Sequence, residues 1–163
     1  MNKISLFYTF LFVLFLQTTL QAQTTYKLTW DVQKLPLEVK TAEGPRNFKN
    51  RLSENGIFNE KLDLPIRSKM LDGKIVLKKS ETAYIYLFVK NNSDQKINFS
   101  VAPHSTHPGA SALGFSFSCL CNGHIYTVEP HAIWYRIMGL KNEGSSTEKN
   151  IELSHYIFKV DKK

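Results

Sequence analysis

The chain has 163 residues, a formal charge of +7 at neutral pH and 12% aromatic residues. That length suits one domain with a sizeable core. Its lysines are scattered, with short clusters at Lys78-Lys79 and Lys162-Lys163, and the lack of a dense basic patch interleaved with aromatics argues against nucleic-acid binding.

The first segment is Met1-Asn2-Lys3, then the apolar run Ile4–Leu16, then QTTLQAQ. A short basic start, an apolar stretch and a small residue at Ala22 are the parts of a secretory signal peptide. The run is shorter than the ~20 residues that span a bilayer as a helix. Cleavage after Ala22 is therefore expected, lowering the formal charge from +7 to +6 by loss of Lys3. The protein is expected in the periplasm or secreted, with membrane association only if this segment is retained. Residues 1–22 are read as the signal peptide and 23–163 as one domain.

Within that domain, Tyr26–Trp30 (YKLTW) reads as a short strand. Residues 41–72 are irregular, with turn signals at Glu43-Gly44-Pro45, Glu54-Asn55-Gly56, Leu64-Pro65 and Leu71-Asp72-Gly73. The core lies over 73–160. Lys74–Lys78, Ala83–Lys90 and Lys96–Ala102 are β-branched and aromatic runs separated by polar turns. Further runs cover Gly114–Cys121, His124–Val128, Ala132–Met138 and Ile151–Val160, with a polar loop at Lys141–Asn150. Some seven to eight strands without helical periodicity predict an all-β, immunoglobulin-like or cupredoxin-like β-sandwich. The buried-Trp and bridging-Cys spacing of antibody domains is absent.

Both cysteines lie in FSFSCLCNGH, as Cys119-Leu120-Cys121. On a strand, residues i and i+2 share a face. Phe115, Phe117, Cys119 and Cys121 would then point one way, and Ser116, Ser118 and Leu120 the other. The two cysteine Cα atoms would stand about 6.6 Å apart in a fully extended strand. A disulfide at that separation requires the backbone to bend. Two thiolates on one face can instead converge on a soft cation, Cu(I) or Zn(II). Cu(I) needs the fewest further ligands. Export to an oxidising compartment keeps the disulfide open as one alternative, and packing of both cysteines as small buried apolar residues is another. His124 and the His104-x-x-His107 pair are candidate additional ligands, so the metal set is Cys119, Cys121, His124, His104 and His107. Met138 ends an apolar strand and reads as core, and His155 in ELSHYIF reads as a strand residue.

The run Phe99–Pro130, FSVAPHSTHPGASALGFSFSCLCNGHIYTVEP, resembles the core of the CtaG-type copper-delivery proteins that assemble cytochrome c oxidase. Pro108-Gly109-Ala110, Phe115 and Phe117, Cys119-Leu120-Cys121 and Val128-Glu129-Pro130 follow the family's order, and the likeness spans roughly Ala83 to Met138. Where that family has an aromatic between or directly after its cysteines, this chain has Leu120 and Asn122. His104, His107 and His124 lie outside the family pattern. The resemblance implies an immunoglobulin-like domain whose Cys119 and Cys121 bind Cu(I), with sharing between two subunits of a homodimer. It also implies a copper donor or acceptor protein as partner, a cytochrome oxidase subunit among them.

A catalytic role is not expected. Ser/His/Asp patterns, phosphate loops and zinc-protease motifs do not stand out, and the C-x-x-C of thiol oxidoreductases is missing. An electron-carrying copper site could be assembled from His104 or His107, Cys121, His124 and Met138, but Met138 lies far beyond the tight loop such sites use. The remaining alternative to a copper carrier is a non-catalytic β-sandwich binding module.

Overall fold

Lys74–Lys78 (KIVLK) alternates exposed and buried side chains along its whole length, and Ile75 and Leu77 face inward. This period of two repeats through the chain and builds two layers. The computed structural model describes residues 23–44, 55–58, 68–118 and 120–161; the expected signal peptide and Cys119 lie outside the described residues.

One sheet runs β10 (Tyr126–Val128), β7 (Ile97–Val101), β12 (Asn150–Lys159), β1 (Gln23–Asp31) and β5 (Lys74–Lys78), and β8 (Ser105–His107) also pairs with β12. The other runs β3 (Asn55–Phe58), β11 (Ile133–Asn142), β6 (Thr82–Asn91), β2 (Leu37–Glu43) and β4 (Ser68–Lys69), and β9 (Phe115–Phe117) also pairs with β11. The result is an all-β sandwich of twelve described strands rather than seven or eight. The surplus comes from β2 and from pieces of two to four residues, which carry too few side chains to show a period. Three of them, β3, β4 and the end of β2, fall in the stretch expected to be irregular.

The main core joins inward residues of both sheets, among them Tyr26, Leu28, Leu77, Leu87, Phe99, Trp134, Met138 and Leu153. Met138 is fully buried there, as its place in an apolar strand implied. β6 and β11 carry apolar side chains on both faces. Their outward set, Tyr84, Tyr86, Tyr135 and Ile137, forms a second cluster with Ala42.

The first and last strands lie side by side and parallel, in register from Thr25↔Asn150 to Asp31↔Tyr156. Asn142 ties the two layers together. Its amide nitrogen donates to Thr24 Oγ1 at 3.3 Å and to the Leu77 carbonyl at 3.2 Å, both in the opposite sheet.

Candidate metal centre

Three separate parts of the chain meet around one cluster of side chains. The first is the connection from β7 to β8. Val101 pairs with Ile157 and Ser105 with Ser154, so three residues, Ala102 to His104, face only His155 and Tyr156 on β12. That extra residue makes a bulge, a device that re-aims a side chain. Pro103 sits in the bulge, where its missing N–H is not needed by the ladder. Ala102 N still donates to the Tyr156 carbonyl at 2.9 Å, pinning the arch beside β12. His104 is left half-buried, its ring 5.8 Å from that of Phe115, 6.0 Å from Phe117 and 5.5 Å from His155.

The second part is the cysteine segment, which crosses from β9 in one sheet to β10 in the other. The strand predicted over Gly114–Cys121 ends at Phe117. Ser118 N donates to the Gly139 carbonyl at 2.9 Å, and Gly139 N donates to Ser118 Oγ at 2.7 Å. Past this clamp the alternation breaks, and Leu120, expected opposite the phenylalanines, is fully buried in the main core with Phe115. Asn122 N donates to the Leu120 carbonyl at 2.8 Å, so Cys121 is the centre of a three-residue turn. The extended strand therefore ends before Cys121. Cys121 is disulfide-bonded, in keeping with the bend that such a bridge requires.

Asn122 Oδ1 accepts from His124 N and from Tyr126 Oη, both at 3.1 Å, and Ser100 Oγ donates to the His124 carbonyl at 2.9 Å. Gly123, at φ 73°, allows the turn between them. These bonds fix the exit of the crossing and leave the His124 ring exposed.

The third part is His155. Along β12, Ile151, Leu153, His155 and Ile157 are buried in alternation, which makes His155 the single polar member of an inward-facing apolar set. It is 1% exposed. Its ring stacks on Trp30 at 4.1 Å and 15° and meets the Phe117 ring edge-on at 5.6 Å. Nδ1 lies 3.3 Å from the Thr29 carbonyl, whereas Nε2 is buried with no hydrogen-bond partner. A carbonyl can only accept, so the proton sits on Nδ1 and Nε2 presents a bare lone pair. Leaving such a group unpaired costs about 1–3 kcal/mol. Burial pushes the His155 pKa down to about 4, with the nearby His104 adding to the effect against hydrogen bonds to Thr29 and Leu153. Burial likewise lowers the pKa of His104. Both imidazoles are therefore neutral at physiological pH.

His104, Cys121 and His155 each place one ligand atom within 4.8 Å of the others. His104 Nδ1 and Cys121 Sγ are 3.8 Å apart. Of the candidate ligands read from the sequence, the fold brings together His104 and Cys121. His107 and His124 do not belong to this cluster. His107 is exposed on β8 beside Pro108, opposite Glu152 in the ladder. His131 also lies apart, its Nε2 2.8 Å from Asp94 Oδ1. His155 went unrecognised because it is 34 positions beyond Cys121 in sequence. Its signal was the alternation of ELSHYIF, which puts a histidine where an aliphatic residue would be expected.

Fold and site define an all-β sandwich with a histidine–cysteine–histidine cluster. The chain belongs to the family described as Domain of unknown function (DUF8709), whose model matches residues 24–160. No curated protein and no solved structure matches it.

Proposed function

We propose that the protein is an exported copper-binding protein, a non-catalytic Cu(I) carrier that holds the ion on Cys119 and Cys121 as thiolates. The observation that supports this is the 3.8 Å approach of His104 Nδ1 to Cys121 Sγ, inside a half-buried aromatic setting. Soft sulfur with imidazole nearby suits Cu(I). The disulfide must first be opened. A dithiol partner supplies two electrons and two protons, the S–S bond breaks to two thiols, and the partner becomes the disulfide. Cu(I) then displaces the thiol protons, and transfer proceeds as incoming thiolates of an acceptor replace the outgoing ones. On the resemblance to the CtaG-type proteins, the acceptor is a cytochrome oxidase subunit and the ion is shared between two copies of the chain.

Anaerobic Cu(I) titration of the reduced protein against a chromophoric competitor tests this. Stoichiometric binding is expected in the wild type, with loss in Cys119→Ser and in Cys121→Ser. Full copper retention in the double serine variant rejects the reading.

A second reading is favoured by the bonded state of Cys121: a non-catalytic β-sandwich binding module whose bridge is purely structural. Intact mass of protein taken from its native compartment separates the two. A metal-free species lighter by two hydrogens, unchanged by added copper and a dithiol, supports the module.

A further inference from the structure

We propose that His155 is a ligand of this centre, so that His104, reduced Cys121 and His155 form a two-imidazole, one-thiolate seat for one soft cation. The inference rests on the carrier reading for the identity of the ion, Cu(I), and departs from it in the donors: the His104 and His155 imidazoles take the place of the Cys119 thiolate.

Three observations carry it. A histidine kept only for packing would have its ring nitrogens paired or facing water. His155 has Nδ1 held by the Thr29 carbonyl and Nε2 buried without a partner. This is the arrangement of a metal-bound histidine, in which an outer carbonyl fixes the tautomer and the ring direction while the other nitrogen faces the ion. The stack on Trp30 holds the ring plane as well.

The second observation is distance. Metal–sulfur bonds near 2.3 Å and metal–nitrogen bonds near 2.05 Å put two ligands of one ion about 3.6–3.8 Å apart at tetrahedral or trigonal angles. His104 Nδ1 and Cys121 Sγ are already 3.8 Å apart, and the full set lies within 4.8 Å. Closing the rest takes about 1 Å. His155 sits on a paired strand, whereas Cys121 is in a turn and His104 in a bulge, so the latter two are the arms that close.

The third is charge. Cu(I) with one thiolate and two neutral imidazoles has no net charge, while Cu(I) with two thiolates is an anion. The rings of Trp30, Phe115 and Phe117 line the cluster. Such surroundings favour the uncharged complex, because burying an unpaired charge is expensive.

The test uses the full chain, reduced anaerobically and loaded with Cu(I). X-ray absorption at the copper edge is expected to show nitrogen as well as sulfur neighbours. His155→Asn keeps a donor near the Nδ1 position for the Thr29 carbonyl and removes Nε2. It is expected to weaken Cu(I) binding at least about tenfold, the lower end of what losing even an outer partner costs. Nitrogen NMR of wild-type protein provides a readout independent of any variant's folding: Cu(I) should shift the unprotonated nitrogen of His155.

A sulfur-only copper shell, with no shift at His155 and affinity within twofold in His155→Asn, overturns this assignment and leaves the carrier reading standing. Failure of the reduced wild type to bind Cu(I) overturns the carrier reading. Reduced protein is then titrated with Co(II), where thiolate-to-metal absorption that is lost in His155→Asn supports the three-donor seat for another ion. Absence of that absorption overturns the seat too.

Discussion

Trp30 and His155 stand opposite each other in the parallel ladder between the first and last strands, with their rings stacked at 4.1 Å. The pairing joins the two ends of the domain and covers one face of the buried imidazole. It makes the candidate centre part of the core, so chemistry at the site and stability of the fold are coupled.

The coupling gives a pH dependence in the metal-free protein. Burial pushes the His155 pKa down to about 4 in the folded chain, against about 6.5 for a free histidine. Between those pH values the unfolded chain takes up a proton that the folded one refuses. Stability from this group is therefore complete above pH 6.5 and falls as pH drops toward 4, by roughly 3 kcal/mol in all. His104 shifts in the same direction. Urea midpoints at pH 7, 5.5 and 4.5 should decline steadily in the wild type and more shallowly in His155→Asn. Equal slopes in the two proteins would show that His155 protonates freely in the fold.

Removing the stacked ring should loosen the site. Trp30 is only half-buried, so Trp30→Ala is expected to cost about 2–3 kcal/mol, toward or below the lower end for a core aromatic. Trp30→Phe keeps a stacking face and should cost under about 1.5 kcal/mol. Chemical denaturation measures both. If Trp30→Ala is as stable as the wild type, the stack does not hold His155 in place.

The strands that could be read from the sequence are those whose side chains alternate or run apolar over five residues or more. KIVLK became β5 without change, and the runs at Ala83–Lys90 and Ile151–Val160 became β6 and β12 within a residue or two. β2 was missed because LEVKTAE mixes charges into a strand whose place beside β6 is decided by tertiary pairing. The parallel pairing of β1 with β12 leaves no trace in either segment. At the site, His104 and Cys121 are legible from their residue types, although the strand expected to carry Cys121 ends at Phe117. The buried Leu120 is what breaks it. His155 is hidden in the sequence because it lies far from the cysteines along the chain, and only the pairing of β12 with β1 fixes its surroundings.

The inter-sheet tie at Asn142 should be among the most sensitive polar positions. It is 2% exposed and donates to Thr24 and Leu77, while its Oδ1 accepts from Gly144 N at 2.9 Å. Asn142→Ala strands the Leu77 carbonyl and the Gly144 N–H, and a loss of about 2–4 kcal/mol is expected. Asn142→Asp should be worse near neutral pH, since a buried carboxylate would face the Leu77 carbonyl. A serial urea titration of the three proteins checks the order. Near-identical stability would mean that water replaces the amide.

A carrier whose site opens on reduction must stay folded when reduced. A bridge confined to Cys119-Leu120-Cys121 closes a loop of only about three residues, so the chain entropy it removes from the unfolded state is worth less than ~2 kcal/mol. The sandwich has its own apolar core, to which the bridged loop contributes only Leu120, and the Asn142 tie lies outside that loop. Treatment with a phosphine reductant is therefore expected to lower the urea midpoint slightly, with the cooperative transition and the β-type circular dichroism unchanged. Loss of the cooperative transition on reduction would make the bridge a structural requirement. The copper-carrier reading would then give way to the binding module, because the thiols would be free only in an unfolded chain.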